Sequence, residues 1–253
     1  MITATILGNI SGEVKTGETA NGKAYARFMI EWPKKLGEEW KCKFPVTIYG
    51  KQGLHTYLAD GKHICVSGRI ETGQYEKEGK TLRSYSLIVS EKDSLEFEPD
   101  GTEGFSNVVY VGNLFGDCTM RYIPNEKRTA VASWYAAVNR EWDKEHPDSY
   151  PTDLYGERAE KNARKLAKGR RVAVVGSIET YSYKDKEENW HNGWKIVSSS
   201  DPNAVIIFEN SKKPEMSTND YQEPVGDPKD EPDEQAAGFA ELPPDVEDEY
   251  FNF

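Results

Sequence analysis

Cysteine, histidine and long apolar runs are all scarce in this chain of 253 residues. The cysteines are Cys42, Cys65 and Cys118, an odd number without a CxxC pair, which argues against a disulfide scaffold or a zinc ribbon and fits a reducing cytosol. The four histidines are scattered and are not spaced with cysteines or carboxylates as metal ligands are. No apolar run approaches the ~20 residues of a membrane span, and the first residues lack the features of a secretion signal. We therefore expect neither a metal site nor a membrane segment.

Catalytic motifs are missing as well. The sequence has no P-loop, no GxGxxG after a strand, no HExxH pair and no GxSxG elbow. Acidic residues are abundant, but a surface that is rich in charge produces them by default. We expect a protein that is not an enzyme and that has no cofactor.

The formal charge of -11 is concentrated at one end of the chain. Residues 214–253 contain 13 acidic residues and a single basic residue, Lys229, whereas residues 1–213 are close to neutral. The same segment has six prolines and no sustained periodicity, so it cannot bury enough apolar area to offset the entropy of ordering. We predict that residues 211–253 form a disordered acidic tail.

The end of this tail combines carboxylates with aromatic rings. Aromatic anchors fill apolar pockets on partner proteins, and carboxylates favour a basic rim around such a pocket. The pattern predicts a short docking peptide, and the alternative is a solubilising tail with a chance aromatic end. The residues of this candidate partner-binding tip are Asp245, Glu247, Asp248, Glu249, Tyr250, Phe251 and Phe253.

The rest of the chain repeats. The motif Gly8-Asn9-Ile10 recurs as Gly112-Asn113-Leu114, and Ile70-Glu71-Thr72 recurs as Ile178-Glu179-Thr180. The two offsets, 104 and 108 residues, nearly match, which indicates two copies of one domain. We predict a first domain over residues 1–98, a linker over 99–105 and a second domain over 106–210.

Each copy has the pattern of a small β domain. Three predicted strands are followed by a short helix, near residues 51–59 in the first copy and 157–168 in the second, and then by two more strands. This is the element order of the OB-fold, a small Greek-key barrel. The predicted fold class is therefore all-β, with two tandem OB-fold barrels, a short helix in each, and the disordered acidic tail.

Tyrosine and tryptophan interleave with basic residues along these strands and loops. Unpaired bases stack on such rings at about 1–3 kcal/mol per base, while lysine and arginine contact phosphates. Strand alternation places Trp134 on the core side and Tyr135 on the opposite side, and a face that contains Glu71 or Glu179 is expected to be exposed. The candidates for binding single-stranded DNA are Trp40, Lys43, Tyr49, Tyr75, Arg121, Tyr135, Arg140, Trp142, Tyr155, Tyr181, Tyr183 and Trp190.

Three motifs of the second copy follow one another in a recognisable order. They are NVVYVGNL at residues 107–114, RYIPN at 121–125 and KGRRVAVVG at 168–176. The first copy is more divergent but keeps Gly8-Asn9-Ile10 and Gly61-Lys62. In order and spacing, and in the acidic tail that ends in Phe253, the chain resembles the bacterial single-stranded DNA-binding proteins (SSB) over nearly its whole length.

The resemblance implies sequence-nonspecific binding of single-stranded DNA in DNA replication, recombination and repair, in the cytoplasm at the nucleoid. It implies that the tail tip docks on replication and repair proteins. Two copies per chain imply a homodimer that presents four OB domains. The stacking positions of the family, and possible counterparts of its loop tryptophan, fall on Tyr49, Tyr75, Tyr155, Tyr183, Trp40 and Trp142.

Other functions fit the same fold. Glu71 and Glu179 stand where the family has basic residues, which favours an alternative in which the OB domains bind protein and little or no DNA. RNA or oligosaccharide binding uses the same architecture and is a third possibility.

Overall fold

The computed structural model of the chain describes residues 2–34, 40–77, 80–99, 101–124, 128–140, 142–143, 145–184 and 190–208. For residues 75–77, 80–82, 190 and 191 it describes the backbone alone. The predicted disordered tail and its acidic and aromatic tip lie outside the described residues.

The elements repeat in order along the chain. The first repeat contains β1 (Ile2–Glu18), β2 (Ala24–Pro33), β3 (Lys41–Tyr49), α1 (Gln52–His55), β4 (His63–Lys77), β5 (Lys80–Val89) and β6 (Leu95–Phe97). The second repeat contains β7 (Phe105–Leu114), β8 (Thr119–Tyr122), β9 (Ala130–Val138), β10 (Asp148–Tyr155), α2 (Glu157–Ala163), β11 (Arg171–Lys184), β12 (Trp190–Ser198) and β13 (Val205–Ile207).

Each repeat closes into a five-stranded barrel, which confirms the predicted all-β fold. In the first repeat β1 pairs with β2, β2 with β3, β3 in parallel with β5, β5 with β4, and β4 with β1. The same circuit joins β7, β9, β10, β12 and β11. In the second repeat a separate strand, β8, pairs with β9. It takes the place of the second half of β1, which pairs with β2 in the first repeat.

Strand alternation explains which side chains fill the barrels. Along β9 the buried Ala132, Trp134 and Ala136 alternate with the partly buried Ser133 and Tyr135. Because successive residues of a strand point to opposite faces, the indole of Trp134 enters the core while the phenol of Tyr135 lies on the outer face. The predicted orientation of both residues is confirmed.

The two barrels are joined into one sheet. Residues 2–7 of β1 pair antiparallel with residues 105–110 of β7, so the sheet runs without a break from one barrel into the other. Glycines make room where the strands cross closely: a Cβ at Gly68 would overlap the carbonyl oxygen of Ile88, and one at Gly176 would overlap that of Val197. The repeated glycines therefore mark equivalent close contacts in the two barrels.

An aromatic cluster fills the space between the barrels. The ring of Phe44 lies 5.5 Å from that of Trp194 in an edge-on arrangement, and Tyr85 also lies 5.5 Å from Trp194. Tyr150 lies 6.2 Å from the same indole and donates a 2.6 Å hydrogen bond to the carbonyl oxygen of Ile70. Because these rings come from both repeats, the two barrels share one hydrophobic core.

Both helices are shorter than the sequence predicts. The helix α2 ends at Ala163 rather than near Lys168, since the chain turns there and Leu166 enters the core. The carbonyl oxygen of Leu166 accepts a 2.9 Å hydrogen bond from the amide of Cys118, and Gly169 reverses the chain with a φ of 79°. Within the described residues, neither helix has the length and apolar character needed to cross a bilayer.

Candidate nucleic-acid interface

Four tyrosines meet on the outer face of the second barrel. Tyr135 comes from β9, Tyr155 from the end of β10, and Tyr181 and Tyr183 from β11, where a spacing of two residues places both on one face. The rings of Tyr181 and Tyr183 lie 6.2 Å apart with their planes inclined by 37°. All four side chains are partly exposed, so the cluster offers ring surface to solvent while its base stays fixed.

An ion pair between the partly buried Lys195 and the buried Asp153 lies beneath these rings. The ammonium group of Lys195 donates 2.8 Å hydrogen bonds to Asp153 Oδ2 and to the hydroxyl oxygen of Tyr155. It also lies 5.5 Å from the ring centre of Tyr155 and 6.0 Å from that of Tyr181. Ser133 donates a 2.6 Å hydrogen bond to Asp153 Oδ1. We call the four tyrosines, Lys195 and Asp153 the tyrosine cluster.

Burial and neighbouring groups shift the pKa values of Tyr181 and Lys195 within the cluster. Burial, and then the adjacent Tyr135, raise the pKa of the Tyr181 phenol to about 12. Burial disfavours the charged form of Lys195, but Asp153 and Tyr155 outweigh it and raise the pKa of the ammonium group. At neutral pH the phenol of Tyr181 is therefore uncharged and the ammonium group of Lys195 is charged.

Sequence reasoning missed Lys195 and Asp153. A signal for Lys195 was available, because it lies between the buried Trp194 and Ile196 and must point to the outer face of β12. Arg121 was identified and lies beside the cluster on β8, with Nη2 3.4 Å from Asp153 Oδ2. Its side chain is 59% exposed, so its guanidinium is accessible to an anionic ligand.

The candidates of the first repeat are more dispersed. Tyr49 is partly exposed at the end of β3, and the ammonium group of Lys23 lies 5.9 Å from its ring centre. Trp40 is 68% exposed next to the start of β3. Lys43 is exposed and lies 3.4 Å from a carboxylate oxygen of Glu31. For the remaining candidates Tyr75 and Trp190 only the backbone positions, in β4 and β12, are described.

Arg140 and Trp142 lie at the contact between the two repeats. Arg140 pairs with the buried Asp148 at 2.8 Å and donates a hydrogen bond to the carbonyl oxygen of Thr72 in the first barrel. The guanidinium of Arg69 lies 3.6 Å from the ring centre of Trp142. The structure thus places both residues away from the tyrosine cluster.

The face of β11 that contains Glu179 is partly exposed at Tyr181 and Tyr183, as expected, but Glu71 and Glu179 are themselves mostly shielded from solvent. Their side chains are only 14% and 19% exposed, because each is held in an ion pair. Glu71 pairs with Arg69 of its own strand, and Glu179 pairs with Lys34 of the other repeat at 3.1 Å. Both carboxylates therefore lie in the region where the repeats meet, and the basic residue paired with each one balances its charge.

The sequence profile of the single-strand binding protein family matches residues 1–96 and 105–200. The chain belongs to this family. Membership confirms the expectation of a binding protein that is not an enzyme. It also agrees with the two barrels, since the family profile matches each repeat separately.

Individual relatives support the assignment to the single-strand binding family. The chain is 29% identical over 123 residues to single-stranded DNA-binding protein 2 of Clostridium acetobutylicum, covering 47% of this chain and 89% of that protein. It is 36% identical over 85 residues to single-stranded DNA-binding protein 3 of the same organism, covering 32% of this chain and 58% of that protein.

Solved structures show the same fold. A deletion mutant of the single-stranded DNA binding protein from Thermus aquaticus matches with a TM-score of 0.64 at 21% identity, covering 85% of this chain and 98% of that one. The wild-type protein from Thermus aquaticus matches with a TM-score of 0.61 at 20% identity, covering 86% of this chain and 96% of that one.

Proposed function

We propose that this chain binds single-stranded DNA without sequence preference. The observation that carries the proposal is the tyrosine cluster, in which four partly exposed rings lie on one face of a family member's barrel and two of them, Tyr155 and Tyr181, contact Lys195. Every base has a flat face that stacks on such rings, so recognition of this kind tolerates any sequence. Proteins named for binding single-stranded DNA are among its relatives.

Cations around the rings complete the proposed interface. Arg121 borders the tyrosine cluster, Lys23 lies beside Tyr49, and Lys43 follows the exposed Trp40 by three residues. Phosphates contacted by these groups would hold the strand along the sheet while its bases stack. Tyr75 and Trp190 stay in the proposal through their backbone positions. Arg140 and Trp142 would contribute only through the contact between repeats.

A titration with oligo(dT) tests the proposal directly. Stacking on an indole or phenol quenches its fluorescence, so we expect saturable quenching at low salt and a complex whose mass gives the number of strands bound. A duplex of equal length is the control, because its paired bases are not available for stacking. Absence of quenching and of a complex at low salt would overturn the proposal.

We also propose that two chains associate through the outer face of the joined sheet. Val109 and Val175 lie opposite each other in β7 and β11, and Ile206 and Phe208 continue the same face. All four are exposed and form an apolar stripe of the kind that marks protein interfaces. Sedimentation equilibrium should give twice the chain mass of 28.6 kDa, and a monomer at micromolar concentration would contradict this.

The remaining parts of the proposal concern domain limits and cellular role. We propose OB domains over residues 1–98 and 106–210 with a linker over 99–105, and β7 begins at the end of that linker, at Phe105.

We further propose that the tail of residues 211–253 recruits replication and repair proteins in the cytoplasm. A pull-down with the full chain and with a chain that ends at residue 213 tests the tail, since only the full chain should retain such partners.

The adaptor alternative is favoured by Glu71 and Glu179, which stand where the family has basic residues. Ion pairs with Arg69 and Lys34 balance the charge of these two carboxylates. The oligo(dT) titration separates the two functions, because an adaptor without DNA binding would show no quenching.

A further inference from the structure

The strand registers allow the two outer faces to be compared position by position. Pro45 of β3 lies opposite Met29, and Pro151 of β10 lies opposite Tyr135. On the other side of each barrel, Glu71 lies opposite Ser86, and Glu179 lies opposite Lys195. The positions are therefore equivalent, but the residues that occupy them differ in chemistry.

The two repeats differ first in the aromatic residues that they carry at these equivalent positions. Tyr49 and Tyr155 end β3 and β10, so this position holds a tyrosine in both repeats. Two further tyrosines of the second repeat have no aromatic counterpart. Met29 stands where Tyr135 does, and Gly73, two residues after Glu71, stands where Tyr181 follows Glu179.

The support beneath the rings differs as well. In the first repeat the buried hydroxyls of Thr47 and Ser86 lie 3.1 Å apart. In the second repeat the same two positions hold Asp153 and Lys195, joined at 2.8 Å. A charged pair in a partly buried site forms shorter and stronger hydrogen bonds than two hydroxyls do, and Lys195 also attracts the two rings above it.

The first repeat has one additional tyrosine on β2, Tyr25, which is partly exposed. A Cβ on Gly17 would overlap the phenol of Tyr25, and a Cβ on Gly193 would overlap that of Tyr181, so both rings pack against a glycine. The guanidinium of Arg27 lies 5.0 Å from the ring centre of Tyr25. Tyr25 therefore offsets one of the two missing rings, and the first repeat still has one tyrosine fewer on this face.

We propose that the two repeats contribute unequally and that the second supplies most of the base stacking to a bound strand. This inference rests on the proposed binding of single-stranded DNA. In it, Tyr135 and Tyr181 supply rings where the first repeat has Met29 and Gly73, and the Asp153–Lys195 pair holds the rings of Tyr155 and Tyr181 in place before DNA arrives.

Matched substitutions in the full chain test the division. Tyr49→Leu and Tyr155→Leu each remove the ring that the repeats share. We expect Tyr155→Leu to weaken oligo(dT) binding about 5- to 150-fold, which corresponds to the loss of one stacked base, and Tyr49→Leu to have a clearly smaller effect. Equal losses, or a larger loss for Tyr49→Leu, would overturn the proposal.

A second variant removes folding as an explanation. Tyr135→Met introduces the residue that the first repeat already accommodates at the equivalent position, and Met29→Ala is its control. We expect weaker binding for Tyr135→Met with an unchanged thermal midpoint, and unchanged binding for Met29→Ala. Wild-type affinity in Tyr135→Met would overturn the division alone, whereas a wild-type chain that ignores oligo(dT) would overturn the proposed function itself.

Discussion

Ala4 and Val108 lie directly opposite each other in the antiparallel pairing of β1 and β7. On its other side Ala4 pairs with Gly68, and Val108 pairs with Gly176. Ala4 and Val108 occupy equivalent positions in the two repeats, and so do Gly68 and Gly176. The two barrels are therefore related by an approximate two-fold axis between them. The same relation places Phe44 and Tyr85 against Tyr150 and Trp194 in the shared core.

The shared core predicts that both repeats unfold together. Trp194 is fully buried between rings of both barrels, so Trp194→Ala should lower the free energy of unfolding by about 3–5 kcal/mol and leave a single transition. Urea denaturation followed by fluorescence and by circular dichroism provides the measurement. Trp40→Ala, at an exposed indole, is the control and should leave stability nearly unchanged. Two separate transitions in the wild type would contradict a shared core.

The close crossing at Gly68 predicts a steric cost for any side chain. In Gly68→Ala the new methyl group would overlap the backbone of Ile88, so strands must move apart and we expect a loss of about 1–3 kcal/mol. Gly53→Ala is the control, because a Cβ at that position in α1 meets open space. Thermal melts of both variants test this, and equal midpoints would argue against the close contact.

From the burial of the Glu71 carboxyl we expect a specific pH dependence of the free energy of unfolding. Burial raises the pKa of its carboxyl above the ordinary value of 4.5, and the Arg69 guanidinium offsets only part of that rise. Between the ordinary and the raised pKa the folded protein binds more protons than the unfolded chain, so this group lowers stability as pH rises through that interval. Glu71→Gln cannot titrate and lacks the effect.

The measurement for Glu71 is a difference between two proteins. The free energy of unfolding of the wild type minus that of Glu71→Gln, taken from urea denaturation at several pH values, should decrease as pH rises from the ordinary pKa. Carboxylates distant from Glu71 contribute equally to both proteins and cancel. A difference that stays constant or grows with pH would show that burial does not govern this carboxyl.

We expect substitution of Tyr183 to weaken DNA binding and to leave the fold intact. Its ring belongs to the tyrosine cluster near the end of β11, so Tyr183→Ala should weaken oligo(dT) binding by about 1–3 kcal/mol. Tyr57→Ala is the control, since Tyr57 is exposed beside Phe97 and lies outside the cluster. Fluorescence titration of the two variants decides, and wild-type affinity in Tyr183→Ala would remove this ring from the interface.

The charge distribution predicts a modest response of DNA binding to salt. Residues 1–213 are close to neutral, so stacking should contribute more to affinity than the release of counterions. Each phosphate contact on a single strand adds about 0.7 to the slope of log affinity against log salt concentration, and we expect a small total slope. A collapse of oligo(dT) affinity between low and moderate salt would show that phosphate contacts dominate.

The sequence by itself determined the repeat, the barrel fold and the orientation of individual strands. Repetition of Gly8-Asn9-Ile10 is visible without a structure, and alternation along β9 separates Trp134 from Tyr135, because the side-chain period of a strand is a local property. Helix length was predicted less well, since the end of α2 depends on contacts of Leu166 with a distant segment.

Only the tertiary structure decided which residues meet. Asp153 and Lys195 are 42 positions apart and come together beneath the tyrosines because β10 and β12 are neighbours in the closed barrel. Arg140 was a candidate for phosphate contact by residue type, but the pairing of β1 with β7 brings the barrels together so that it faces Asp148 and Thr72. The sequence determines the chemistry of each side chain. The closure and joining of the sheet determine which other residues that side chain contacts.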